Sequence, residues 1–185
     1  HAGHGLTKGL LDGRGEAWLD LVKEIYFEGS GTEFWEAESR LAALERLRAG
    51  VTTSLSYVGS MPRVDDPKFA AAAATGYREF GLRHVVAVGP PDGLPVLASD
   101  PDTGTETTID LDRAMATTEA VVGDLHGAAD GRLSVAVAPS SLVPEMDEDG
   151  NATEASVEQI RAVRELATAE DLPIHAHAYE GEVAA

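Results

Sequence analysis

Cysteine is absent from the 185 residues of this chain, and lysine occurs only at Lys8, Lys23 and Lys68. Without cysteine there is neither a disulfide framework nor a thiolate metal site. Any metal ion bound by the chain must therefore be held by histidine and carboxylate side chains. No run of apolar residues approaches the roughly 18 that a membrane-spanning helix needs, so we expect no membrane partner.

Positive charge is also scarce, because 32 aspartates and glutamates face 14 lysines and arginines, for a net charge of -18. A field of this sign repels nucleic acid and anionic membranes, so neither is an expected partner. An acid-rich, lysine-poor composition is typical of proteins that stay soluble in concentrated salt, where repulsion between surface charges is screened. We therefore hypothesise that the protein comes from a salt-loving source. We also expect it to be cytoplasmic.

The apolar pattern predicts an alternation of helices and short buried strands. The strands are predicted at residues 51–58, 84–88, 133–138 and 174–178. The gaps between them are long enough for crossover helices, which indicates parallel pairing. Near-continuous apolar strands indicate a sheet covered on both faces. The fold class is therefore α/β, either a closed (β/α)8 barrel or a doubly wound open sheet, and periodicity alone does not choose between them.

Local signals predict how several of these segments begin and end. Ser30 and Glu33 predict a capping box for a helix that ends before Gly50. Asp66-Pro67 predicts an N-cap followed by proline in the first helical turn. Residues 92–110 are polar and contain proline and glycine, so we expect a loop at the barrel mouth that shapes specificity.

Two histidines and a glutamate stand out in Pro173-Ile-His-Ala-His-Ala-Tyr-Glu180. Side chains at i and i+2 of a strand share a face, so His175 and His177 point the same way. Two imidazoles on a buried face need polar partners, and a metal ion is one such partner. Glu180 follows the strand end, where α/β enzymes place their working groups. The alternative is a hydrogen-bonded pair of core histidines, with Glu180 capping the next helix.

The first residues, His1-Ala-Gly-His4, form a second histidine-bearing segment. If His1 ends an earlier strand, the glycine-rich continuation lets the backbone approach a ligand closely. Gly3 and Gly5 disfavour a helix, so a helical pair of histidines is not expected. Taken alone, the segment is better explained as a disordered terminus.

Taken in order, these segments resemble the amidohydrolase superfamily, in its cytosine-deaminase-like branch with methylthioadenosine/S-adenosylhomocysteine deaminases and triazine chlorohydrolases. That family ends its first barrel strand in His-x-His, and Gly-x-Thr-Thr and Pro-Ile-His-x-His-x-x-Glu follow at strands two and five. This chain carries Gly50-Val-Thr-Thr53, Val135-Ala-Val-Ala-Pro139 and Pro173–Glu180 at the second, fourth and fifth strands. The resemblance covers essentially the whole chain. It implies a TIM barrel, with residues 1–185 as one partial barrel domain holding the end of strand one through strand five.

The resemblance also implies roles for individual residues. His177 matches the fifth-strand metal ligand, and Glu180 matches the acid that transfers protons. His1 matches the second histidine of the first-strand pair, which leaves His4 near the substrate; in the alternative, His1 and His4 are themselves the pair. His175 lies one layer deeper than His177 and is expected to pack beside the ligand.

The same resemblance bears on the metal and the substrate. Binuclear family members use a carboxylated lysine at the end of strand four, and this strand has none, so one divalent ion is implied, zinc or alternatively Fe²⁺. The deaminases place a substrate-holding histidine after the fourth-strand Ala-Pro. Here Ser140 and Ser141 stand instead, which makes Ser140 a candidate substrate contact and weakens purine nucleoside deamination. The family's sixth-strand histidine and eighth-strand aspartate lie outside these residues.

The resemblance therefore implies hydrolysis of a C–N or C–halogen bond in a small cyclic or heteroaromatic substrate. A homo-oligomer stays open as a further partner. The alternative is a non-catalytic barrel relative that serves as a binding or assembly module.

The salt hypothesis makes a direct prediction. Because molar salt screens repulsion among the excess acidic side chains, the thermal unfolding midpoint should rise by several degrees between dilute buffer and molar KCl. Thermal unfolding followed by circular dichroism measures it. A midpoint that stays level or falls would contradict a salt-adapted protein.

Overall fold

The computed structural model describes residues 5–10, 21–22, 24–57 and 63–177. The helical segments are a π-helix, Glu24–Gly29; α1, Thr32–Arg48; α2, Pro67–Phe80; α3, Leu111–Leu125; a short turn, Ala128–Gly131; and α4, Glu154–Ala169. The strands are β1, Thr53–Tyr57; β2, Arg83–Val88; β3, Val96–Asp100; β4, Thr105–Ile109; and β5, Leu133–Val137. None of the helices in these ranges is long and apolar enough to cross a membrane.

The main sheet runs in chain order. Strand β2 pairs in parallel with β1 on one side and β5 on the other. Parallel bridges from Val137 to Ile174 and from Ser141 to His177 add the segment 174–177 beyond β5. The strand predicted at residues 174–178 is therefore represented by two isolated bridges and not by a continuous strand. A doubly wound sheet reverses its order at a switch point, and no reversal occurs among these four segments.

Helices α2, α3 and α4 pack on the same face of this sheet. Alternate residues of β2 and β5 contact them: Val86, Val88, Leu133, Val135 and Val137. The opposite face carries Leu55, Tyr57, Val85, Ala87, Ala136 and Ala138. Sequential parallel strands with their helices on one side form the wall of a barrel, as the resemblance implies. The described residues show this one-sided α/β arrangement and no closed barrel.

The predicted loop at residues 92–110 contains a β-hairpin, so that prediction is wrong in part. Strands β3 and β4 pair antiparallel, with Val96 opposite Ile109 and Asp100 opposite Thr105. The turn between them ends at Gly104, whose φ of 72° favours glycine. The β-branched threonines after a Pro-Asp-Thr-Gly turn were the available signal for a hairpin.

The predicted Ser30–Glu33 capping box is also wrong. The N-cap is Gly31, and the hydroxyl of Ser30 instead donates to the carbonyl of Ile25 at 2.7 Å. The carboxylate of Asp102, in the hairpin turn, accepts from the backbone N–H and the hydroxyl of Thr32, both at 2.9 Å. A side chain distant in sequence therefore caps α1, and it stabilises the positive end of the helix dipole.

The other predicted helix boundaries are confirmed. The carboxylate of Asp66 accepts from the backbone N–H of Lys68 at 2.9 Å, and Pro67 is the first residue of α2. Gly50 follows α1 with a φ of 76°, the left-handed conformation that suits glycine at this position.

Helices α1 and α2 are in close contact at Gly76. Its backbone N–H donates to the hydroxyl of Ser39 at 3.0 Å. A Cβ built on Gly76 would lie 2.3 Å from the backbone nitrogen of Arg40. Because that neighbour is backbone, it cannot move aside as a flexible side chain would.

Gly76→Ala should therefore destabilise the protein by about 2–3 kcal/mol, because the added methyl group forces the two helices apart. Urea denaturation measures the change. Gly123→Ala in α3 is the matched control, since nothing lies within 4 Å of a Cβ there. The control should stabilise by up to about 1 kcal/mol through helix propensity alone. Equal effects of the two variants would contradict close helix packing at Gly76.

His84 lies at the beginning of β2, at the end of the sheet opposite the predicted site. Its ring stacks on Tyr77 with centroids 3.4 Å apart, and its Nδ1 lies 2.8 Å from the hydroxyl of Ser54. Burial, aided by the nearby Arg46 charge, lowers the pKa of His84 to about 3. The folded protein therefore keeps this imidazole neutral.

This shift predicts a loss of stability in weak acid. The pKa of His84 is lower in the folded than in the unfolded state, so protonation favours unfolding as the pH falls from about 6.5 towards 3. Between about pH 7.5 and 5.5, His84 alone should lower the free energy of unfolding by about 1.4 kcal/mol. Urea denaturation at both pH values should show this loss in the parent protein and in His126→Ala, and not in His84→Phe. The same loss in His84→Phe would show that other groups cause it.

Candidate functional site

His175 and His177 lie on the sheet face that α2, α3 and α4 leave uncovered. Pairing of Val137 with Ile174 puts Ile174 on the helix side, so the two histidines face the other way. Their rings approach that of Tyr57, with centroid distances of 6.0 Å for His175 and 4.7 Å for His177. Tyr57 is buried and both imidazoles are half-buried. The shared face predicted for the two histidines is confirmed.

Backbone hydrogen bonds set the height of these histidines along β5. The N–H of His175 donates to the carbonyl of Val137 at 2.9 Å, and Val137 in turn donates to Pro173 at 2.9 Å. The N–H of His177 donates to the carbonyl of Ser140 at 3.3 Å, beyond the end of β5. His177 thus lies at the carboxyl end of the parallel strands, where α/β enzymes build their sites.

Small residues make room on this face. Between Tyr57 in β1 and the histidines lie Ala87, Ala136 and Ala138, which lets an aromatic ring from β1 contact imidazoles beyond β5. At the same end, a Cβ on Gly89 would lie 2.5 Å from the carbonyl oxygen of Ala138. Only glycine allows this close approach of the chain leaving β2. Tyr57 was not predicted from the sequence, because its partners lie more than a hundred residues away.

Ser140 joins the loops at the carboxyl ends of β2 and β5. Its N–H donates to the carbonyl of Pro90 at 3.4 Å, and its hydroxyl accepts from the N–H of Asp92 at 3.3 Å. With its carbonyl bound to His177, it holds both loops beside the histidine. The structure therefore brings Ser140 and His177 together, while a contact with substrate stays a prediction.

His1, His4 and Glu180 lie outside the described residues. Within 5–10, 21–22, 24–57 and 63–177, no group of three or more histidine, aspartate or glutamate side chains is arranged to hold a metal ion. The imidazole nitrogens of His175 and His177 belong to the commonest class of nitrogen ligand for zinc. The imidazole of His177 is suited to a metal site by its chemistry and by its position at the carboxyl ends of the strands, and the described residues do not complete such a site.

A buried arginine ties together the loops at this end of the sheet. Arg63 forms two hydrogen bonds to the carboxylate of Asp65, at 2.9 and 3.1 Å, and its guanidinium lies 4.1 Å from the ring centroid of Phe69. It also donates to the carbonyls of Phe27, at 3.3 Å, and Ser99. One side chain thus joins the π-helix, the residues before α2 and the hairpin. Nothing in the local sequence pattern marked it.

A second group of charges fastens the hairpin to the helices. The ammonium of Lys68 in α2 donates to the carboxylate of Asp100 and lies 3.7 Å from that of Asp102. The backbone N–H of Thr32 is the main cause that lowers the pKa of Asp102. These contacts hold the hairpin against the ends of α1 and α2. The region predicted as a loop therefore contains a hairpin that is fixed to the N-terminal ends of α1 and α2.

Solved structures with similar folds were found by comparison. One is guanine deaminase from E. coli, with 17% identity, a TM-score of 0.59, and 88% of this chain matching 32% of that one. Another is a mutant of atrazine chlorohydrolase from Arthrobacter aurescens TC1, complexed with zinc and atraton, with 17% identity, a TM-score of 0.56, and 90% of this chain matching 33% of that one. A third is an amidohydrolase from an environmental sample of the Sargasso Sea, with 20% identity, a TM-score of 0.53, and coverage of 83% and 34%.

The chain shares the fold of amidohydrolases. The resemblance predicted from the sequence is thus confirmed at the level of fold, and at these identities the likeness extends no further. The chain spans about a third of the length of these amidohydrolase-type structures. No protein-family model matches the sequence, and a search of curated proteins found no match.

Proposed function

We propose that the protein is a metal-dependent hydrolase that breaks a C–N or C–halogen bond in a small cyclic or heteroaromatic molecule. The observation that carries this proposal is the position of His177, on the open sheet face at the carboxyl ends of parallel strands. The shared fold supports it, because similar structures include a guanine deaminase and an atrazine chlorohydrolase.

In this proposal the imidazole of His177 holds one divalent metal ion together with His1, or with His1 and His4. His175 packs beside His177 against the ring of Tyr57. We propose zinc because the similar atrazine chlorohydrolase is complexed with zinc, with Fe²⁺ as the alternative. A divalent ion at such a site lowers the pKa of a bound water molecule to near neutral.

Glu180 is the proposed proton carrier. Its carboxylate accepts a proton from the attacking water while the water oxygen forms a bond to a ring or amidine-like carbon. The bond from that carbon to nitrogen or halogen then breaks. A leaving nitrogen takes the proton back from Glu180 and departs as ammonia or an amine, whereas a halide leaves as the anion.

Ser140 and Ser141 bear on the choice of substrate. A hydroxyl at the end of β5 offers one donor and two acceptor positions and carries no charge at neutral pH. The hydroxyl of Ser140 already accepts from the N–H of Asp92. This environment favours a compact neutral heterocycle over a purine nucleoside held by a histidine.

The test is the metal content of the full-length polypeptide that carries this sequence, after dialysis, beside its His177→Ala variant. The wild type should keep about one zinc or iron per chain, as a mononuclear hydrolase does. His177→Ala should keep at least tenfold less metal, because a ligand is lost. His126→Ala is the matched control, since it removes an exposed imidazole whose Nδ1 accepts from the backbone N–H of Val135 in β5.

The outcomes separate the possible functions. Metal retained by His126→Ala and lost by His177→Ala would support the proposal and justify assays of ammonia, amine and halide release. Two metal ions per chain would contradict a mononuclear site. A folded wild type that retains no metal would overturn the hydrolase and leave a non-catalytic binding module.

A further inference from the structure

Glu38 is a carboxylate buried inside the protein, in the middle of α1, with only 2% of its surface exposed. Its Oε1 accepts from the backbone N–H of Gly5 at 2.6 Å, and its Oε2 accepts from that of Leu6 at 2.6 Å. A buried carboxylate is costly unless donors satisfy it, and bonds from N–H groups to an ionised carboxylate are short and strong. Both oxygens thus bind consecutive residues of one turn.

The turn is pressed tightly against α1. A Cβ on Gly5 would lie 2.9 Å from Cδ2 of Leu41 and 3.2 Å from the Oε1 of Glu38. Two residues on, the hydroxyl of Thr7 lies 3.1 Å from that of Tyr26, and both side chains are buried. Residues 5–7 are therefore held at two points by side chains from other parts of the chain.

This turn follows the first histidine-bearing segment directly. Gly5 is the next residue after His4 and is four residues from His1. We propose that Glu38 is a positioning residue, which fixes the turn after His1 and His4 and thereby sets the first-strand ligand of the metal. The inference rests on the proposed function, because it concerns the first-strand ligand of the same metal site.

Glu38→Gln is the discriminating change. Glutamine has nearly the size of glutamate but offers one acceptor oxygen, and its NH₂ group faces the second N–H, where it cannot accept. One of the two bonds to Gly5 and Leu6 must therefore be lost. Loss of a group that orients a metal ligand typically lowers metal affinity by 10–100-fold, so we expect Zn²⁺ affinity to fall by about tenfold or more.

Ser39→Ala is the matched control. Ser39 is the next residue in α1, is equally buried, and accepts a backbone N–H from Gly76 at 3.0 Å. It makes no contact with the turn among the hydrogen bonds of the described residues. Its loss should lower stability without lowering metal affinity. A general loosening of α1 would lower the affinity of both variants.

The experiment measures Zn²⁺ affinity by competition with a chromophoric chelator, and amide hydrogen exchange by NMR, in the full-length polypeptide and in Glu38→Gln, Ser39→Ala and His177→Ala. We expect the amides of Gly5 and Leu6 to be protected in the wild type and in Ser39→Ala. In Glu38→Gln they should exchange faster, and Zn²⁺ should bind more weakly.

Four results would decide against the proposal. Wild-type Zn²⁺ affinity in Glu38→Gln, with His177→Ala impaired, would overturn the positioning role and leave the proposed function standing. An equal loss in Ser39→Ala would reduce Glu38 to a structural role. No Zn²⁺ binding by the folded wild type would instead overturn the metal site itself. If Glu38→Gln does not fold, Glu38→Asp replaces it, and we expect an intermediate loss of Zn²⁺ affinity. Unprotected Gly5 and Leu6 amides in the wild type would still refute the hold of Glu38 on this turn.

Discussion

The packing of α2, α3 and α4 against a single face of the parallel sheet determines which face stays open for a functional site. That face is filled by valines from β2 and β5 and by apolar helix residues, and burial keeps His84, the imidazole that it does hold, neutral. His175 and His177 instead lie on the opposite face, among alanines and against Tyr57. Both the candidate metal site and the likeness to barrel amidohydrolases follow from this one-sided arrangement.

Charged side chains also join loops and helices that are distant in sequence. Arg63 and Asp65 join the residues before α2 to the hairpin, and Asp102 joins the hairpin turn to α1. Glu38 holds the turn that follows the first histidines. In each case a charged group contacts backbone donors or acceptors far away in the chain. Such bonds orient loops more strictly than apolar contacts do, because they require a particular distance and direction.

Much of this arrangement could be predicted from local pattern. The four parallel segments, the Asp66 cap and the common face of His175 and His177 follow from periodicity and capping rules, which depend on neighbours within a few residues. The hairpin at 96–109 was missed because each of its strands has only five residues and includes polar or charged side chains. The Ser30–Glu33 capping box was wrong because a carboxylate from residue 102 occupies that end of the helix.

The sequence by itself determined the α/β alternation, the acidic composition, the absence of thiolate ligands and the spacing that puts His175 and His177 on one face. Only the tertiary structure decided the strand order, the single helix-covered face and the pairing of distant groups, such as Tyr57 with His177 and Glu38 with Gly5. The physical reason is the distance along the chain over which each kind of interaction acts. Periodicity and capping act over one or two turns of backbone, whereas these partners meet only when the helices and the sheet bury their apolar faces together.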